Sequence, residues 1–95
     1  MLSREELFDK IVHFLKHEGA SKVSIFGSYA RGQEKPESDI DVLVEFSQTK
    51  TLLEFVKIER ELSEYIGVKV DLVTEKSLSP HIKEYMEKEL REVYG

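Results

Sequence analysis

Residues 27 to 44 read GSYARGQEKPESDIDVLV and hold two glycines, a serine, an arginine and two aspartates one residue apart. Gly27-Ser28 closes an apolar run, Lys22 to Phe26, at a helix start. An absent Cβ there lets an anion approach backbone N–H groups that are free to receive it. Arg31 follows Ser28 by one helical turn and adds a charge-assisted hydrogen bond to the same anion. Gly27 to Gly32 also fits most of the phosphate-loop pattern G-x-x-x-x-G-K-[ST]. Gln33 and Glu34 stand where its lysine and hydroxyl belong, so that reading fails. Asp39 and Asp41, at period two on a strand, aim both carboxylates at one spot, where like charges need a cation or a proton to offset them. An EF-hand is excluded, because Leu43 and Glu45 interrupt the ligand run. Asp71 lies between Val70 and Leu72, and a charge inside an apolar strand usually needs a partner.

Taken singly, each signal has a plainer account: a packing turn at Gly27-Ser28, a solvated strand entrance at Asp39 and Asp41, an edge aspartate facing water at Asp71. Taken together, they place anion donors and three carboxylates around one spot. Mg²⁺ prefers hard oxygen ligands and is held by one or two carboxylates plus substrate phosphates. Two such ions about 4 Å apart activate a nucleophile and stabilise a leaving pyrophosphate. The chemistry expected of this set is nucleotidyl transfer.

The elements that must position these residues follow from periodicity. Ser3 and Glu6 make a capping box before a helix carrying Leu7, Phe8, Ile11, Val12, Phe14 and Leu15, with Gly19 as its stop. A strand over 22–26 leads into a brief helical turn over 28–32, and the polar residues 32–38, with Gly32 and Pro36, read as a loop. Ile40 to Phe46 is a second strand. Thr51 and Glu54 cap a helix whose apolar face takes Leu52, Phe55, Val56, Ile58, Leu62, Tyr65 and Ile66, ending at Gly67. Val68 to Thr74 alternates as a third strand. Ser79-Pro80 opens a last helix with Ile82, Tyr85, Met86, Leu90 and Val93 along one side. The helix over 51–66 has the length of a βαβ crossover, so strands two and three are expected parallel, with Asp71 beside Asp41. Strand one runs antiparallel to strand two and brings Gly27-Ser28 to Asp39 and Asp41. The fold class expected is α/β (α+β): a small mixed sheet with flanking helices, in the order α-β-α-β-α-β-α, as one domain over residues 1–95.

Composition narrows the field. With 95 residues the core is small, so association with a partner or with itself is expected. The net charge of −5 opposes direct nucleic-acid binding. There is no cysteine, and no apolar run long enough for a bilayer, so the cytoplasm is the expected compartment and no membrane is expected as a partner.

The joint pattern Gly27-Ser28-x-Ala30-Arg31-Gly32, Ser38-Asp39-x-Asp41 and Asp71 on the following strand resembles the DNA polymerase β-type nucleotidyltransferase superfamily. The short chain is similar to its minimal nucleotidyltransferase branch, whose members pair with HEPN-domain proteins. The resemblance covers nearly the whole chain and implies the nucleotidyltransferase fold. It implies that Gly27, Ser28, Arg31 and Ser38 bind ATP. It further implies that Asp39, Asp41 and Asp71 ligand Mg²⁺, two ions being expected, with Asp71 also helping to activate the acceptor hydroxyl. Larger members carry a further helical domain, and nothing after Asp71 replaces it, so the acceptor is expected from elsewhere. The activity implied is that of an antitoxin that transfers AMP from ATP to a tyrosine of a HEPN-type RNase toxin. Transfer to a small molecule and neutralisation of a partner by non-catalytic binding stand as rivals.

Other residues read as structural. His13 and His17 have zinc-ligand spacing but no third ligand, and they and His81 are expected at the surface. Tyr29 is expected to cover the core, with stacking on a base as the alternative. Val93 and Tyr94 are candidates for extending an apolar stripe towards a partner.

Overall fold

Helix α1 (Arg4–His17) begins where the Ser3 hydroxyl accepts a hydrogen bond from the Glu6 N–H at 3.2 Å. The expected reciprocal bond differs in detail, because the Glu6 carboxylate receives the Ser3 hydroxyl at 3.1 Å. The computed structural model describes residues 3–35, 37–88 and 90–95, and for 85–87 only the backbone. The sequence assignments of Pro36 to a loop and of the Tyr85 and Met86 side chains to an apolar helix face fall outside the described residues.

From α1 the buried side chains are Leu7, Phe8, Ile11 and Leu15, one face at helical spacing. Strand β1 (Ala20–Phe26) contributes Val23 and Ile25, β2 (Ile40–Phe46) contributes Ile40, Val42 and Val44, and β3 (Val70–Val73) contributes Val70 and Leu72. Helix α3 (Leu52–Ile66) closes the layer with Ile58, Leu62 and Ile66. These side chains form one core cluster, and each contributes about 1.5–3 kcal/mol by leaving water.

β1 and β2 are antiparallel, with Phe26 opposite Asp41, and β2 and β3 are parallel, with Asp41 opposite Asp71. The intervening helix α3 therefore makes the crossover inferred from spacing. A one-turn helix, α2 (Ser28–Arg31), separates β1 from the loop before β2. A 3-10 turn (Glu75–Ser77) and α4 (Pro80–Glu87) follow β3. Among the described residues no helix is long and apolar enough to cross a membrane.

The C-terminal segment corrects the sequence reading. The last helix stops at Glu87, and β4 (Arg91–Tyr94) pairs antiparallel with β1, giving the order β3-β2-β1-β4. A bare β1 edge offers a ladder of backbone hydrogen bonds that outweighs the helical spacing of Leu90 and Val93, and Val and Tyr suit a half-buried pleat. Val93 and Tyr94 consequently pack against the core instead of extending a stripe outwards. Lys16 Nζ lies 5.0 Å from the Tyr94 ring centroid, and Arg91 pairs with Glu5 at 3.0 Å.

The start of α3 is the second difference. Thr51 and Glu54 form the full capping box, but Leu52 and Val56, assigned to its apolar face, are 79% and 51% exposed, and Leu53 is 84% exposed. Phe55 is the first α3 side chain to reach the core, its ring edge-on to Phe46 of β2 at 6.4 Å, and full burial begins at Ile58. Tyr65 is also mostly outside the core, stacked 5.7 Å from the Phe14 ring.

Candidate active site

The site is built at one end of the sheet, where β1 stops and β2 starts. Gly27 ends β1 with φ +74° and ψ −151°, a conformation that is essentially confined to glycine. A Cβ at this position would overlap Asp41 Oδ2 and lie 3.3 Å from its Cγ. The backbone of the first strand thus closes directly over the Asp41 carboxyl group, and the absent side chain is what permits the approach.

Beyond Gly27 the chain turns once. The Ala30 and Arg31 N–H groups donate to the Gly27 carbonyl at 3.1 and 3.2 Å, and Gln33 N–H donates to the Ser28 carbonyl at 2.9 Å. A single turn of four residues has little macrodipole of its own. Any pull on an anion here comes from the close backbone at Gly27-Ser28 and from Arg31. The Arg31 side chain is exposed, and its Nε–H donates to Gln33 Oε1 at 3.1 Å.

Asp41 is half-buried, in register with Phe26 on one side and Asp71 on the other. Burial, then the carboxylates of Asp71 and Asp39, hold its carboxyl group above the ordinary aspartate range, and the Arg31 guanidinium pulls the other way. Arg31, Asp39 and Asp71 therefore all act on one carboxyl group. Asp71 is exposed on the same sheet face. Asp39 lies just before β2 and stands 3.8 Å from Lys69 Nζ. With both partners well solvated, that pair contributes little stability.

Ser38 is beside the site but engaged in the loop: its Oγ accepts from Lys35 N–H at 2.8 Å, and its own N–H donates to the Lys35 carbonyl at 2.9 Å. Among the described residues, no three His, Cys, Asp or Glu side chains gather tightly enough to form a metal-ligand group as they lie. The Asp41 and Asp71 carboxylates repel one another, and Lys69 draws on Asp39.

Residues taken as structural sit where expected. Tyr29 is buried at 6% exposure, with its hydroxyl pushed up by burial and then by Glu34. His13 and His17 are exposed, their rings 4.7 Å apart, and His81 is exposed as well.

The sequence reading missed Lys69, whose role shows only once β3 lies beside β2. It also passed over Glu59 and Ser63 on α3. Glu59 Oε2 accepts from the Leu72 N–H at 2.8 Å and Ser63 Oγ from the Val70 N–H at 2.9 Å. Their seven- and thirteen-residue reach to β3 leaves no local signal.

Residues 8–93 match the nucleotidyltransferase domain family. Protein adenylyltransferase MntA of Thermococcus cleftensis is 39% identical over 98 residues, spanning 98% of this chain and 95% of that protein. A crystal structure of a toxin-antitoxin with AMP-PNP superposes with a TM-score of 0.83 at 24% identity, over 93% of this chain and 73% of that one. The MNT antitoxin in complex with a tri-AMPylated HEPN toxin, from Shewanella oneidensis, gives a TM-score of 0.80 at 21% identity, over 98% and 73%. At these identities the structural likeness is one of fold.

Proposed function

The chain belongs to the nucleotidyltransferase domain family, and from that premise we propose that it is an Mg²⁺-dependent protein adenylyltransferase. In this reading it moves AMP from ATP to a tyrosine of a HEPN-domain RNase and so serves as that toxin's antitoxin in the cytoplasm. The observation that carries the reading is the register that sets Asp41 beside Asp71 and beneath the bare Cα of Gly27. Similarity to the adenylyltransferase MntA and to the HEPN-bound MNT antitoxin supports the protein acceptor.

The donor set fits the metal. Asp39, Asp41 and Asp71 supply hard oxygens, and Asp41, raised first by burial and then by the Asp71 and Asp39 carboxylates, is a group whose charged form a divalent cation would favour. When bound, Mg²⁺ supplies positive charge to the polyphosphate and to the α-phosphate oxygens. Gly27 and Ser28 present backbone to the triphosphate, the bare Cα of Gly27 leaving the Asp41 carboxylate in place beside it, and Arg31 adds charge from the following turn. The acceptor tyrosine oxygen forms a bond to the α-phosphorus as the bond from that phosphorus to the bridging oxygen breaks, and pyrophosphate leaves. Asp71, exposed on the sheet edge, is reachable by a hydroxyl group carried in on another protein and takes its proton.

Incubation with labelled ATP, Mg²⁺ and the HEPN partner should label the partner. The Asp39→Asn, Asp41→Asn double variant should not label it, and labelling that survives the double change would reject these residues as the metal site.

A further inference from the structure

β3 is an outer strand of the sheet, yet its free side is not bare. Alternation along the strand sends the Val70 and Leu72 amides away from β2 and leaves those of Asp71 facing it. Both outward amides are taken up by side chains of α3. Ser63 Oγ accepts from Val70 N–H at 2.9 Å and itself donates to the Glu59 carbonyl at 2.9 Å, while Glu59 Oε2 accepts from Leu72 N–H at 2.8 Å. The residues so held are those on either side of Asp71, and their side chains are 2% and 4% exposed. Asp71 itself is exposed, and its own side chain has no burial to fix it.

Resting on the metal-dependent transfer proposed above, we propose that Glu59 and Ser63 are positioning residues for Asp71. They pin the backbone on both sides of it, and this sets the height of its carboxylate against Asp41. The function of Glu59 here is that of an acceptor, which a glutamine oxygen can replace. An outer residue that orients a ligand typically changes metal affinity by 10–100-fold when lost.

The test uses Mn²⁺ as an electron-paramagnetic probe of the whole chain without ATP, together with amide hydrogen exchange at Leu72. Glu59→Leu keeps an aliphatic side chain on the helix and removes the acceptor. It should weaken Mn²⁺ binding about tenfold and speed exchange at Leu72, with the circular dichroism spectrum unchanged. Glu59→Gln should restore both to within about twofold of the parent, and Ser63→Ala should act as Glu59→Leu does, at Val70. Asp71→Asn provides the reference for losing the ligand itself. If Mn²⁺ binding falls in Asp71→Asn and holds at the parent value in folded Glu59→Leu, the positioning role is overturned and the metal site stands. If Asp71→Asn binds Mn²⁺ as the parent does, both fall. Should Glu59→Leu fail to fold, the Ser63→Ala and Glu59→Gln pair decides by the same readouts.

Discussion

Gly27→Ala places one methyl group at the closest approach in the site. The backbone there has φ +74° and ψ −151°, and holding a non-glycine residue in such a region costs about 1–3 kcal/mol. The added carbon also overlaps Asp41 Oδ2, whereas backbone atoms are not among its nearest contacts. The clash is therefore relieved by driving Asp41 off its rotamer, at about 0.5–1.5 kcal/mol. The total, about 1.5–4.5 kcal/mol, is a large part of the stability of a domain this size, and each kcal/mol lowers Tm by about 4–8 °C. Displacing the Asp41 carboxylate by about 1 Å should cut AMP transfer by about 100-fold at a temperature where the variant is fully folded. Gly67 is the control. It also has positive φ, +75°, but a Cβ there meets nothing within 4 Å, so Gly67→Ala should cost about 1–2 kcal/mol and leave transfer unchanged. Urea unfolding of Gly27→Ala, Asp41→Ala and their double variant completes the cycle. Truncating Asp41 removes the atoms that clash, so the two losses should be sub-additive by about 1 kcal/mol. Additive losses, or parent-level transfer by folded Gly27→Ala, would show that the contact does not govern the site.

Three further outcomes are expected. Because burial and its neighbours raise the Asp41 carboxyl group, the folded state holds that proton more tightly than the unfolded chain. Stability is lost as pH rises through the raised value, so Asp41→Asn should melt higher than the parent at pH 7 without divalent cations. Its advantage should vanish below the ordinary aspartate range. Arg31→Gln removes the charge that pulls against that shift, so a carboxyl-carbon NMR titration should find Asp41 raised further and the acid limb of the transfer profile moved to higher pH. Thr51→Ala breaks the α3 capping box, formed by bonds of 3.1 and 3.2 Å, and should cost about 0.5–2 kcal/mol in urea unfolding. It should leave transfer intact, since α3 begins beyond the far end of β2.

The grouping of Asp41 and Asp71 was legible because two local rules combine: period two along a strand, and a crossover helix of the right length between strands. Gly27 was legible for the same reason, as an apolar run ending in a residue without Cβ. What local pattern did not contain was the fate of residues 90–95. Leu90 and Val93 carry helical spacing, and only the open edge of β1, formed by residues far upstream, turns Arg91–Tyr94 into a strand. Leu52 and Val56 likewise satisfy the helical period, but they turn away from the sheet that Phe55, and then Ile58, reach. The positions of Lys69 and Glu59 depend on which strand lies beside which, a property of the assembled sheet.

The pairing of Asp41 with Asp71 also bears on when the site comes into existence. These residues meet only across a parallel ladder, and the whole of α3 must close as a loop before the first such contact forms. The β1–β2 hairpin, by contrast, joins segments close in the chain. Non-local contacts of this kind slow folding and are made late. A chain with its hairpin formed and its crossover still open would possess Gly27 beside Asp41 yet lack Asp71. Transfer activity would then appear in step with the last cooperative stage of folding, so its time course after dilution from urea is a direct clock for closure of the βαβ unit.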